Sequence, residues 1–129
     1  MIMIIGGAFQ GKKDFAKERF SLSDTDVLDG EKCDINAVFS AGCVNNYHAL
    51  IKRIIGEKID PIEFTERLCR ENPNIIIITN EIGSGIIPLE KNERIWREYA
   101  GRAGCMIAKN SELVVRIFCG IAEVIKGEL

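Results

Sequence analysis

At 129 residues, 47% hydrophobic and 28% charged, the chain has the length and composition of a single domain, 1–129, able to bury a core of its own. A net charge of −2 gives no electrostatic basis for nucleic-acid binding, and no apolar run is long enough for a membrane span. The five cysteines (Cys33, Cys43, Cys69, Cys105, Cys119) are odd in number and form no C-x-x-C pair, which points to reduced thiols in a cytoplasm rather than a disulfide frame or zinc site.

The chain opens MIMIIGGAFQGKKDFAKERF. The apolar run Ile2 to Ile5 predicts a strand ending at Gly6, too short and too lacking in basic flank for a signal peptide. Lys12 to Phe20, carrying Phe15 and Phe20, predicts a helix. Strand, loop and helix in that order are the setting for G-x-x-x-x-G-K-[ST], and Gly6, Gly11 and Lys12 match it. Gly6, Gly7, Ala8, Phe9, Gln10 and Gly11 would cradle the phosphates of ATP or GTP, with Lys12 neutralising the outer ones. Lys13 stands where a Ser or Thr hydroxyl would hold Mg²⁺, so the motif predicts nucleotide binding while questioning phosphoryl transfer. The plainer alternative is a strand-to-helix turn that happens to contain glycines.

Ser21 to Asp26 reads as a polar turn, followed by the short apolar pair Val27 and Leu28. Asp29 after them is either a Mg²⁺ position of the Walker-B type or half of an Asp29-Gly30 turn. Asn45 to Ile55 predicts a helix with Tyr47, Leu50, Ile51, Ile54 and Ile55 on one face and Gly56 as its stop. His48 falls one position off that stripe and reads as structural or solvated rather than catalytic. Asp60, Pro61 and Glu63 mark a capped helix start that runs to about Glu71.

Ile75 to Ile78 shows no alternation, so it predicts a central parallel strand buried on both faces. It ends at Thr79-Asn80-Glu81 and enters the loop Ile82-Gly83-Ser84-Gly85. Parallel to the first strand, it would bring Asn80 and Glu81 to the same end of the sheet as the Gly6–Lys12 loop. The plainer alternative is that they merely cap and turn. Glu90 to Lys109 reads as a helix with Ile95, Tyr99, Met106 and Ile107 on one side, weakened by Gly101 and Gly104. Leu113 to Cys119, Gly120 and Ile121 to Lys126 read as an antiparallel edge hairpin. The fold class is α/β: a P-loop-type, mostly parallel sheet flanked by helices, with that hairpin at the C-terminus.

The stretch ITNEIGSGIIPLEKNERIWREYAGR resembles the signature of the bifunctional adenosylcobinamide kinase / adenosylcobinamide-phosphate guanylyltransferase family. Thr79, Asn80, Glu81, Ile82, Gly83, Gly85, Ile86, Ile87 and Pro88 match its T-N-E-[VI]-G-x-G-[IV]-[VI]-P run. Arg94, Trp96, Arg97, Glu98, Gly101 and Arg102 match the helix R-x-[FW]-R-[DE]-x-x-G-R that follows. The ending SELVVRIFCGIAEVIK and the opening IIGGAFQGKK are similar to the family's closing strands and its G-G-A-x-x-G-K-S loop. The strong part spans residues 75–126.

The resemblance implies a protein of cobalamin salvage and late assembly. Such enzymes phosphorylate the aminopropanol hydroxyl of adenosylcobinamide, a corrinoid, and then transfer GMP from GTP through a guanylylated histidine. It also implies a homo-oligomer, the family's assemblies often being trimers. Lys12 and Glu81 are the candidate catalytic residues, Glu81 to orient or deprotonate a hydroxyl. Three departures stand out. Lys13 replaces the loop serine, the segment bearing the guanylylated histidine is missing between the first helix and Asp29, and Gly104-Cys105 replaces the usual Asn-Gln. The kinase half is then the activity able to survive, since it needs positioning and electrostatics rather than a covalent residue. The alternative is a catalytically silent nucleotide- or corrinoid-binding subunit.

Overall fold

The computed structural model describes residues 1–82 and 90–129. Its elements in chain order are β1 (Ile2–Gly6), α1 (Lys12–Arg19), β2 (Val27–Asp29), β3 (Cys43–Asn45), α2 (Tyr47–Gly56), α3 (Pro61–Glu71), β4 (Ile76–Asn80), α4 (Lys91–Asn110), β5 (Leu113–Phe118) and β6 (Ile121–Lys126). Short 3-10 turns cover Asp24–Asp26 and Ile35–Ser40. The strands form one sheet in the order β2-β3-β4-β1-β5-β6, parallel throughout except for the antiparallel β5-β6 pair. The mostly parallel α/β class with a C-terminal hairpin is therefore the observed one.

The apolar runs lie at the centre for the reason their composition suggests. β1 pairs β4 on one side and β5 on the other, with Gly6 beside both Asn80 and Ile117. Strand residues alternate between two layers. Met3, Ile75, Ile77 and Val114 pack with Leu50, Ile51, Ile54, Leu68 and Ile107 of α2, α3 and α4. Ile4, Ile76, Ile78, Val115 and Ile117 face Ala16 and Phe15 of α1.

One expectation is corrected. Asn45 belongs to β3 rather than to a helix, and α2 begins at Tyr47 after Asn46, which takes a left-handed φ of 58°. The helix expected from Glu90 is α4, which runs unbroken through Gly101 and Gly104 with Ala103 and Ile107 as its buried residues. The Asp60 cap forms: its Oδ1 accepts from the N–H of Ile62 at 2.9 Å and of Glu63 at 3.4 Å, with Pro61 opening the helix. Asp60→Ala should lower stability by about 1 kcal/mol in urea unfolding, the usual worth of such a cap. An unchanged midpoint would mean that α3 is held by packing alone.

Gly83 and Gly85, with the apolar residues and Pro88 that follow them, lie outside the described residues. All five cysteines are free. Among the described residues no helix is long and apolar enough to cross a membrane.

Candidate functional site

The carboxyl ends of β1, β3 and β4 point to one end of the sheet, and there the loop between β1 and α1 closes a cleft of about 380 Å³. Its wall includes residues 8–14 of the loop and first helical turn, together with Glu31, Asn45, Asn46, His48 and Asn80. The loop's entry needs glycine: a Cβ on Gly6 would lie 2.4 Å from the Ile117 carbonyl oxygen. Its exit needs one as well, because Gly11 sits at φ 89° as the N-cap of α1. No side chain caps α1, so its leading N–H groups are left for other acceptors. Gln10 ties the loop to the β5-β6 turn: its carbonyl accepts from Gly120 N–H at 3.0 Å, and its side-chain oxygen accepts from Cys119 N–H.

Lys12 is 8% exposed, and its Nζ donates to the Gly7 carbonyl at 2.7 Å. Burial holds its ammonium below the ordinary lysine range, and the Glu81 carboxylate partly offsets this. It is thus a desolvated cation among backbone groups, an arrangement that an incoming anion would relieve. Lys13 is exposed on the cleft wall, and its positive charge acts on Asp24 and Asp29. Phe9 takes a left-handed φ of 58° and is fully exposed at the loop tip.

His48 belongs to the same cleft, which its position in the sequence did not reveal. Its ring is buried, and its Nδ1 accepts from the backbone N–H of Asn80 at 3.1 Å. Burial, and then the charge of Lys12, push its pKa down to about 4. The missed signal was β3. A helix that starts directly after a parallel strand places its first turn at the strand ends, where ligands bind in open α/β sheets.

Glu81 sits at the same sheet end, its N–H donating to the Gly6 carbonyl at 2.9 Å. Its carboxylate forms a bidentate pair with Arg116 of β5, at 2.7 and 3.3 Å. It lines a second, more apolar cleft of about 510 Å³ between α4 and the sheet, with Met3, Ile5 and Gly104. Asn80 lines both clefts, and Thr79 lies buried with its hydroxyl 3.5 Å from His48 Nδ1.

The other expected residues are placed elsewhere. Asp29 ends β2 outside both clefts, and its Oδ1 accepts from Glu31 N–H at 2.9 Å and from the Asn46 amide at 3.2 Å. Burial raises its pKa, but those bonds and the charges of Lys32 and Lys13 outweigh it and leave the carboxyl below its ordinary value. Asp29 closes a strand and anchors the turn that follows it, as the turn reading expects. Among the described residues no group of three His, Cys, Asp or Glu could hold a metal ion. Arg94 is exposed on α4, and Arg102 lies over the Tyr99 ring at 5.5 Å. Arg97, on the same helix, is half-buried.

Fold and cleft define an α/β domain with a glycine-rich strand-to-helix loop and a buried lysine at the carboxyl end of its parallel strands. The sequence model of the cobinamide kinase / cobinamide phosphate guanyltransferase family matches residues 42–125, and the chain belongs to that family. The bifunctional adenosylcobalamin biosynthesis protein CobU of Salmonella typhimurium is 30% identical over 96 residues, covering 70% of this chain and 51% of the relative. The chain thus spans about half the length of the curated relative it matches. The family match begins beyond the Gly6–Lys12 loop, so for this chain the loop rests on its own geometry.

Proposed function

We propose that this chain acts in cobalamin biosynthesis by binding ATP or GTP through the Gly6–Lys12 loop, with phosphoryl transfer to a corrinoid hydroxyl as the activity its residues could support. The observation that carries this reading is Lys12, a buried cation on a glycine loop beside the uncapped start of α1. Residues Gly7 to Gly11 would follow the phosphate chain with backbone N–H groups. The acceptor, a cobinamide-like corrinoid alcohol, would lie along the second cleft. The ridge of Asn80 and Glu81 would meet its hydroxyl, because Asn80 lines both clefts. Glu81, held by Arg116, would orient that hydroxyl or accept its proton. Thr79, Arg94, Arg97 and Arg102 match the family motif, and Thr79 also lines the second cleft.

The residues present do not fit a Mg²⁺ site. An ammonium cannot ligate a metal, Lys13 stands at the hydroxyl position, and Asp29 lies outside the cleft that the loop closes. Lys13 would instead contact a phosphate oxygen and supply part of the missing charge. That substitution also favours the second reading, a silent nucleotide-binding subunit, because charge without a metal can bind phosphate yet fail to activate it.

Calorimetric titration of ATP and GTP, with Mg²⁺ and with EDTA, tests both. Micromolar-class binding that depends little on Mg²⁺ is expected, and Lys13→Ser should make it Mg²⁺-dependent. Binding of neither nucleotide would overturn the reading of the loop. Strictly Mg²⁺-dependent binding with brisk phosphorylation of cobinamide would overturn the reading of Lys13. The homo-oligomer, trimeric in the resemblance, is part of the same proposal and is read from light scattering.

A further inference from the structure

The chain has a single histidine, and the phosphate reading leaves it without a task. His48 occupies the first turn of α2, 9% exposed, on the wall that Lys12 and Asn80 also line. Its main chain is pinned by the indole of Trp96, whose Nε1–H donates to the His48 carbonyl at 2.7 Å. Its Nδ1 faces the Asn80 backbone N–H at 3.1 Å. A peptide N–H can only donate, so Nδ1 keeps its lone pair and the ring proton belongs to Nε2. Among the described residues none bonds Nε2 and no buried side-chain nitrogen or oxygen lacks a partner, so Nε2 keeps access to solvent on a residue that lines the cleft.

We propose that His48 is a ligand-contacting residue of this cleft: a fixed, uncharged Nε2–H donor to a phosphate oxygen, acting alongside Lys12 and never as the carrier of a covalent nucleotidyl intermediate. This rests on the nucleoside triphosphate reading of the loop. A histidine that attacks phosphorus, or takes a proton from an acceptor, needs its lone pair on the nitrogen that faces the ligand. Here the lone pair is spent on Asn80. The other tautomer would set two N–H groups against each other and leave a buried donor unmet. Protonation meets the same obstacle.

The surroundings agree. The charged groups on the cleft wall are Lys12, Lys13 and Asp14 of α1 and Glu31 beyond β2. The ring feels Lys12 among them, which opposes a second positive charge. From β4 and α4 the ring meets Thr79, Asn80 and Trp96, all uncharged. A neutral donor adds a hydrogen bond to an anion without repelling the buried cation beside it.

Nitrogen-15 correlation spectra of the intact chain read this directly, because one histidine gives one unambiguous signal set. The expected result is a protonated Nε2 and a bare Nδ1, unchanged from about pH 8 to about pH 5. ATP without metal should then shift the Nε2 resonance. In His48→Asn the amide oxygen can still accept from Asn80 N–H, but the amide NH₂ stops short of the position of Nε2 and no longer meets the same phosphate oxygen. That variant should bind ATP roughly tenfold more weakly, the loss expected for one bond to a charged group. A proton on Nδ1, titration near the ordinary histidine pKa, equal ATP affinity in His48→Asn, or an acid-labile GMP adduct on His48 after incubation with GTP would each overturn the proposal. Absence of ATP binding in the wild type would overturn the loop reading and this contact with it. Binding with the wrong tautomer would overturn the role of His48 alone.

Discussion

Acidification from about pH 7.5 to about pH 4.5 should cost this protein on the order of 2–3 kcal/mol of folding stability through His48. In the unfolded chain the imidazole titrates at its ordinary value of 6.5, and in the folded protein only at about 4. Burial is the larger cause and the charge of Lys12 the second. Between those two values the unfolded state holds the extra proton, so stability rises with pH across that window. The contribution is complete above 6.5, falls as the pH drops, and is exhausted below about 4. Carboxylates such as Asp29, whose pKa lies below its ordinary 3.8, act only at still lower pH. Urea unfolding across the pH range separates the two. In His48→Asn, which cannot titrate, the decline between about pH 6.5 and 4.5 should flatten. An equal decline in both proteins would show that the ring protonates freely in the folded state.

The same histidine shows where sequence reasoning reached its limit. The β1-loop-α1 unit is legible because Ile2 to Ile5 stop at Gly6, and a lysine-rich helix follows Gly11. β4 is legible because four isoleucines in a row leave no solvent face. β3 is not, because three residues carry no periodicity, and the helical stripe that begins at Tyr47 absorbs Asn45 when read from the sequence. With β3 hidden, the first turn of α2 had no fixed position, and His48 looked like a residue on a helix flank. Glu81 shows a second limit. Its place at the loop end of the sheet follows from strand direction, but its ion pair with Arg116 joins residues 35 apart across β1 and depends on register that no local pattern encodes. Asn80 reads as a loop residue and proves to be a shared wall of two clefts.

Lys12→Ala should weaken ATP binding by about 1.5–3 kcal/mol, or roughly ten- to a hundredfold, the worth of a charge-assisted bond in a partly desolvated site. The direction follows from what holds the side chain. Its Nζ has a single described acceptor, the Gly7 carbonyl, while burial opposes its charge. A phosphate oxygen would supply the missing counter-charge, so most of that interaction is gained only on binding. Folding should respond differently. Glu81 keeps Arg116 as its partner when Lys12 is removed, and the protein no longer buries a cation. Stability should therefore hold or rise slightly while affinity falls, and that opposition separates a ligand-binding lysine from a structural one. Calorimetry and urea unfolding on the same two proteins measure both quantities. Equal ATP affinity in Lys12→Ala and wild type would remove the loop from the site. A loss of stability matching the loss of affinity would make Lys12 a clamp on the Gly7 carbonyl and leave phosphate recognition to other groups of the cleft.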